Sequence, residues 1–332
     1  MQIDRSIWRG KSLEERNRHL LKTFIVHPLV FALIEAIEER IEKVEEGANP
    51  AGILILAPSG GGKTRFCEFL GTRYTPERLE NRTKFRFIAI ETPQPCTPLE
   101  VANAILSELG DPFCEGRITK VQCKRARLML VAARTIILAV DNAHDIVERT
   151  GPKGVQKVGN YLRLLIDKCN LVVLLLGLPE AAFVVDANPQ LKRRVPGRSL
   201  LSDYDITKPD GLAKFLRLQH ELDDVLPLAK KSGLGKGQMG KGLAYASDGK
   251  FAHLVNLLTR AMAHAVKENR EVIALSDLSR AYKDYFLELL TGVNPFKPGF
   301  KDWRRLNRPG EPHHVVEDPR VSETKRRVTV KK

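Results

Sequence analysis

Gly52-Ile-Leu-Ile-Leu-Ala-Pro-Ser-Gly-Gly-Gly-Lys-Thr64 is the stretch on which the reading of this chain turns. Its first half, 52–57, is an unbroken apolar run of strand length, the pattern of a strand buried on both faces. Its second half, from Ala57 to Thr64, fits the Walker A phosphate loop with Ala in the first Gly position. Gly60, Gly61 and Gly62 admit backbone angles that turn several N–H groups inward around an anion. The helix that starts at Lys63 directs its positive dipole end at the same anion. Lys63 is placed to reach the β- and γ-phosphates of ATP, and the Thr64 hydroxyl to ligate Mg²⁺. Ser59, Gly60, Gly61, Gly62, Lys63, Thr64 and Arg65 are therefore the expected nucleotide-binding residues.

Working outward, the stretches 85–90, 135–140 and 171–176 repeat the apolar strand pattern. Helix-like segments at 63–74, 98–109, 121–133 and 155–168 separate them. Alternating strand and helix predicts an α/β domain, a parallel sheet with helices on both faces. Upstream, Ser12 with Glu15 spells a capping box. Pro28 opens a second helix, with Leu29, Leu33, Ile37, Ile41 and Val44 at helical spacing and Gly47 to close it. Beyond 203 the strand signals vanish, and 212–222, 250–268 and 276–290 read as amphipathic helices. Between them the glycine-rich 232–242 lacks both a preceding strand and a Ser/Thr after its lysines, so a flexible loop is expected there and not a second phosphate loop.

A P-loop enzyme needs a second Mg²⁺-ordering carboxylate at the end of a neighbouring strand. Ile136-Ile-Leu-Ala-Val-Asp141 supplies it, as a Walker B motif. The next residue, Asn142, is an amide that positions a water but cannot take its proton. Tight ATP binding with slow hydrolysis is the expectation. His144 and Asp145 are nearby but are read mainly as loop-capping groups.

With 54 Lys+Arg against 40 Asp+Glu the net charge is +14, which makes a polyanion such as nucleic acid the natural partner. No apolar run reaches the ~18 residues of a membrane span. Charge at the N-terminus replaces the apolar stretch of a secretory signal, so a cytoplasmic protein without membrane contact is expected. Cys67, Cys96, Cys114, Cys123 and Cys169 are odd in number and form no CxxC pair, which points to reduced thiols and against a zinc site.

Taken together in order, Phe24-Ile-Val-His-Pro28, the Walker A segment, Glu91-Thr-Pro-Gln-Pro95, Ile105-Leu-Ser-Glu-Leu-Gly110, Val140-Asp-Asn-Ala-His144, Gly177-Leu-Pro-Glu-Ala181, Gln190-Leu-Lys-Arg-Arg194-Val and Asn294-Pro-Phe296 resemble the TniB/TnsC family of AAA+ ATPases, regulators of DNA transposition. The resemblance implies an AAA+ P-loop core with an all-α lid and ATP held between neighbouring protomers. It also implies ATP-dependent rings or helical filaments on double-stranded DNA, coupling a TniQ-like target selector to a transposase. On that basis the chain divides into an N-terminal extension (1–27), the nucleotide-binding core (28–203), the helical lid (204–291) and a basic tail (292–332) that is extended or disordered alone. Arg194 matches the family's arginine finger, with Arg193 as the fallback; a fixed, always-charged fork suits the γ-phosphate. Asn142 departs from the family's Asp-Glu pair, and Leu178 stands where a polar sensor is usual. Lys250 and His253 are the only lid sensor candidates, no better than solvated-face residues.

Duplex contact without base preference requires Lys and Arg facing phosphates. Arg149, Lys153 and Lys157, just after Walker B, form the favoured stretch, because in AAA+ proteins the loops there face the oligomer axis. Arg117, Lys120, Lys124, Arg125 and Arg127 form the other. An aromatic content of 6% argues against a base-stacking single-strand binder. Competing readings are an initiator or clamp-loader ATPase, a protein-remodelling motor and a metabolic kinase. Against the first stands the tail of about 40 residues, too short for a winged helix. Against the second stand the missing catalytic Glu and aromatic pore loop, and against the third the net charge and the lid's helical pattern.

Overall fold

The computed structural model describes residues 4–80, 82–201, 204–286 and 294–301, together with 303, 306–308, 311 and 313. The expected end of the last helix at 290 and the basic stretch 314–332 lie outside these. Two compact units emerge, Phe24–Asp203 and a second assembled from both ends of the chain, Met1–Thr23 with Tyr204–Lys332.

In chain order, a 3-10 turn (Arg5–Trp8) leads to α1 (Leu13–Lys22), whose capping box forms as the sequence predicts: Ser12 Oγ accepts from the Glu15 N–H and Glu15 accepts from the Ser12 N–H. Then come α2 (Pro28–Glu45), β1 (Ile53–Leu56), α3 (Lys63–Arg73), the hairpin strands β2 (Glu77–Leu79) and β3 (Arg82–Lys84), β4 (Phe87–Glu91), α4 (Pro98–Glu108) and α5 (Thr119–Ala132). β5 (Ile137–Asp141), α6 (Asp145–Glu148), α7 (Pro152–Cys169), β6 (Val172–Gly177), α8 (Ala182–Asp186), α9 (Pro189–Arg194) and β7 (Gly197–Leu200) complete this unit. The main sheet runs β4-β5-β6-β1-β7 with every pair parallel.

Continuous apolar strands follow from burial on both faces. Successive side chains alternate: Leu138 and Val140 of β5, with Val173 and Leu175 of β6, pack among α4, α5 and α7. Ile137 and Ala139, with Val172, Leu174 and Leu176, pack among α2 and α3. Each such Val, Leu or Ile side chain contributes about 1.5–3 kcal/mol by leaving water. β7, Gly-Arg-Ser-Leu, is a fifth strand that the sequence reading did not find. It lies at the sheet edge and is only half buried, so it needs no apolar run.

The second unit holds α10 (Pro209–Val225), α11 (Gly237–Ser247), α12 (Phe251–Lys267) and α13 (Leu275–Tyr285). Here the flexible-loop expectation for 232–242 is corrected. The N–H groups of Ser232, Gly233 and Leu234 all donate to the buried Asp223 carboxylate at 2.8–3.1 Å, and from Gly237 the chain is helical. Glycine's low helix propensity loses to packing: a Cβ on Gly242 would lie 2.8 Å from the Phe296 ring.

The stretch expected as an extension, 1–27, divides between the units. Arg5 donates to the carbonyls of Asp223, Leu226 and Leu228 at 2.6–3.2 Å, closing the C-terminal end of α10. Arg16, 2% exposed, donates to the Pro227 and Trp8 carbonyls (2.6 Å each) and forms a two-pronged pair with Glu271 at 2.9 and 3.0 Å. Phe24–His27 instead lead into α2 of the sheet unit.

Candidate nucleotide-binding site

All five strands of the main sheet point their carboxyl ends the same way, and in an open α/β sheet that edge is where ligands bind. The loop after β1 turns there through Gly60 (φ +71°) and Gly62 (φ +86°), left-handed angles that glycine adopts without steric cost. A Cβ on Gly62 would meet nothing within 4 Å, so the penalty of any other residue there is conformational. Gly62 is also the N-cap of α3, so the free N–H groups of that helix face the loop's concavity.

Lys63 is buried, and its ammonium donates to the carbonyls of Ala57 and Pro58, both at 3.0 Å. Burial lowers its pKa, and the nearby Asp141 carboxylate opposes that shift. Thr64 Oγ1 donates to Asp141 Oδ2 at 2.7 Å, joining the loop to the end of β5. The other carboxylate oxygen, Oδ1, accepts from the Asn142 N–H at 2.8 Å. One hydroxyl and one carboxylate in contact form a hard-oxygen pair suited to Mg²⁺, which keeps most of its ligands as water and phosphate. Ser59 is exposed, and Arg65, half-buried on the first turn of α3, lies 3.5 Å from Glu68. The Cys67 thiol is pushed far up by burial and is no nucleophile.

Asn142 sits at φ +54°, and its side-chain Nδ2 donates to Glu91 Oε1 at 3.1 Å. Glu91 is the last residue of β4 and pairs in register with Asp141. The Thr92 N–H and hydroxyl both donate to the Asp141 carbonyl, at 3.0 and 2.7 Å. Thr64, Glu91, Asp141 and Asn142 line one cleft of about 470 Å³. The sequence reading quoted Glu91 within a segment that carries the family resemblance but did not single it out as a site residue; the register of two neighbouring strands places it at the site.

His144 and Asp145 act in the loop. The Leu178 N–H reaches His144 Nδ1 at 3.5 Å, and Asp145 faces Arg149 at 3.4 Å. Arg149 also donates to Gln94 Oε1 at 2.8 Å. Lys153 and Lys157 are exposed one turn apart on α7 and form no ion pair among the described residues. Lys120 is exposed on the first turn of α5, but Arg125 is tied to Asp111 and lies over the Phe113 ring. Arg194 Nε lies 2.7 Å from Asp167, whereas Arg193 is exposed with no ion pair among the described residues. In the helical unit, His253 donates to or accepts from Tyr285 OH at 2.7 Å among Phe286 and His313, and burial brings its pKa down to about 4. It is a neutral, packed histidine and not a charged sensor. Lys250 lies 3.7 Å from Asp248.

Comparison with known proteins agrees with this architecture. No curated protein matches the sequence. Solved structures with the same fold include ORC1 of Aeropyrum pernix in complex with DNA, 16% identical with a TM-score of 0.51, covering 86% of this chain and 70% of that one. ORC2 of Aeropyrum pernix, solved as ADPNP and ADP complexes, is 13% identical with a TM-score of 0.53, covering 77% and 70%. Cdc6p of Pyrobaculum aerophilum is 17% identical with a TM-score of 0.50, covering 85% and 71%. The family described as bacterial TniB protein matches residues 19–202, more than half of the chain. With its AAA+ P-loop fold, five-stranded parallel sheet and Walker residues in contact, this chain belongs to the TniB family.

Proposed function

We propose that the protein is an ATP-dependent, DNA-binding AAA+ regulator of transposition. It assembles into rings or filaments on double-stranded DNA and couples a TniQ-like target selector to a transposase. The observation that carries the nucleotide part is the 2.7 Å bond between Thr64 and Asp141 beside a glycine loop with Lys63 at its base. Residues 59–65 would hold ATP, and Thr64 and Asp141 would hold Mg²⁺, which would supply charge neutralisation at the phosphates. Asn142 cannot accept a proton, so hydrolysis is slow compared with enzymes that carry Glu there. Chain division into a core at 28–203, a helical domain from 204 and a basic tail from 292 belongs to the same proposal, as does location in the cytoplasm on DNA. Among the described residues no helix is long and apolar enough to cross a membrane.

The arginine finger falls to the pair 193–194. Arg193 is favoured over Arg194, because Arg194 is already engaged by Asp167 within its own protomer. For DNA, Lys153 and Lys157, which form no ion pair among the described residues, are favoured over Arg149, which is held by Asp145 and Gln94; Lys120 is a secondary candidate. The net charge of +14 supports a polyanionic partner. The test is electron microscopy on random-sequence duplex DNA with ATP or ADP. Particles wound on DNA with ATP and absent with ADP support the reading, and single protomers under both conditions refute it. DNA affinity should fall steeply with salt and little with sequence. The second reading, an initiator-like ATPase, is favoured by the likeness to ORC1 and Cdc6p; sequence-selective duplex binding would support it instead.

A further inference from the structure

Asn142 leaves the site without a proton acceptor at the position after Asp141, yet the amide is not idle. Its Nδ2 holds Glu91 Oε1 at 3.1 Å, and only this orientation of the amide gives that bond. Glu91 ends β4 directly opposite Asp141, the carboxylate that accepts from Thr64. The strand end is fixed by Thr92, whose N–H and hydroxyl both donate to the Asp141 carbonyl. Glu91 is exposed into the cleft that Thr64, Asp141 and Asn142 share, and among the described residues its Oε2 has no hydrogen-bond partner. Other carboxylates nearby are less well placed. Glu68 is turned to Arg65, Asp145 is turned to Arg149, and Glu108 is on the last turn of α4 with no bond to the strand ends among the described residues.

We infer that Glu91, presented from the strand next to Walker B, is the general base of ATP hydrolysis and that Asn142 is the amide that positions it. A water held between Glu91 Oε2 and Asn142 Oδ1 attacks the γ-phosphorus. Its oxygen bonds to phosphorus while the bond from phosphorus to the β,γ-bridging oxygen breaks, that electron pair leaving with ADP. The water proton passes to the Glu91 carboxylate, which then gives it up to the released phosphate or to solvent. Because one Glu91 oxygen is committed to Asn142, the base works with half its acceptors, in keeping with slow turnover. This inference rests on the nucleotide reading proposed above.

The test uses the full chain, with ATP affinity measured by a fluorescent ATP analogue and by displacement with ATP, alongside single-turnover hydrolysis with bound nucleotide identified after quenching. Glu91→Gln is expected to keep ATP affinity within about threefold while the hydrolysis rate falls by about 100-fold or more, leaving ATP on the protein. The exchanged double variant, Glu91→Asn with Asn142→Glu, recovers the wild-type rate or exceeds it. Glu108→Gln leaves both measurements unchanged. A Glu91→Gln rate within about threefold of wild type overturns the inference, as does a wild-type protein that binds ATP and never turns it over. A wild-type protein that binds no ATP overturns the nucleotide reading itself.

Discussion

Removing the Arg16 side chain should unfold the helical unit long before the sheet unit, and the size of the effect follows from what Arg16 touches. Its guanidinium is 2% exposed, donates to three backbone carbonyls (Trp8, Lys11 and Pro227) and meets both oxygens of Glu271. Glu271 also accepts from the Ala229 N–H at 3.0 Å, and its carboxyl pKa lies below the ordinary value chiefly because of Arg16. Arg16→Ala leaves that carboxylate part-buried without its cation and strands several carbonyls. Breaking a buried pair from one side costs about 3–5 kcal/mol. With a urea m-value of about 2 kcal/mol/M, the midpoint should drop by about 1.5–2.5 M. The assay is supplied by the sequence: the only two tryptophans, Trp8 and Trp303, both belong to this unit, Trp8 against His19 and Trp303 against Tyr245 and Phe300. Their fluorescence therefore reports its unfolding, while far-UV circular dichroism reports both units. Arg18→Ala, which breaks only an exposed pair with Glu14, is the control and should move the midpoint by a few tenths of a molar at most. A fluorescence midpoint that Arg16→Ala shifts by less than about 0.5 M would refute the placement of residues 5–22 in the helical unit.

Gly242→Ala drives a methyl to within 2.8–2.9 Å of the Phe296 ring, and the expected overpacking loss of about 1–3 kcal/mol exceeds the helix-propensity gain of about 1 kcal/mol; the same fluorescence transition should move down, and an upward shift would contradict the packing account. Lys63→Ala deletes a charge-assisted contact to phosphate, so ATP affinity measured by calorimetry should weaken by about 100-fold with the fold intact. Arg193→Ala should slow hydrolysis in the DNA-bound assembly and leave single-protomer ATP affinity unchanged, whereas Arg194→Ala, which frees Asp167 and Arg163, should mainly lower thermal stability. His27 is 3% exposed, and burial brings its pKa from 6.5 down to about 4. The unfolded chain then binds the extra proton between these values, so sheet-unit stability should fall as pH drops from about 6.5 to about 4, by up to about 3 kcal/mol. His27→Gln should flatten that slope in calorimetric scans, and an unaltered slope would assign it to other groups.

What was legible in the sequence was whatever is local and apolar. Four of the five strands of the main sheet announce themselves because both faces of a central parallel strand are buried, and Gly60 to Thr64 announce the loop because phosphate-binding geometry needs those residues in one run. β7 stayed hidden because an edge strand half covered by its neighbours carries Arg198 and Ser199 without cost. Gly237–Ser247 stayed hidden for the opposite reason: its glycines signal flexibility locally, but Phe296, far along the chain, needs the space they leave. The membership of 5–22 in the helical unit depends on Arg5 and Arg16 meeting carbonyls and a carboxylate more than 200 residues away. No periodicity encodes such a contact.

The chemistry of the cleft obeys the same division. Walker A and Walker B are each contiguous, and their meeting at Thr64 and Asp141 was foreseeable from order and spacing. Reading on by one residue to Asn142 suggested a site short of a base, because a motif is read along the chain. The sheet is assembled across it. Parallel register sets Glu91 beside Asp141 with the same certainty that peptide geometry sets Asn142 after it, and the amide and carboxylate then find each other at 3.1 Å. A substitution that looks like the loss of a function along one strand therefore has to be weighed against the residue that ends the next strand. Here that residue is a glutamate.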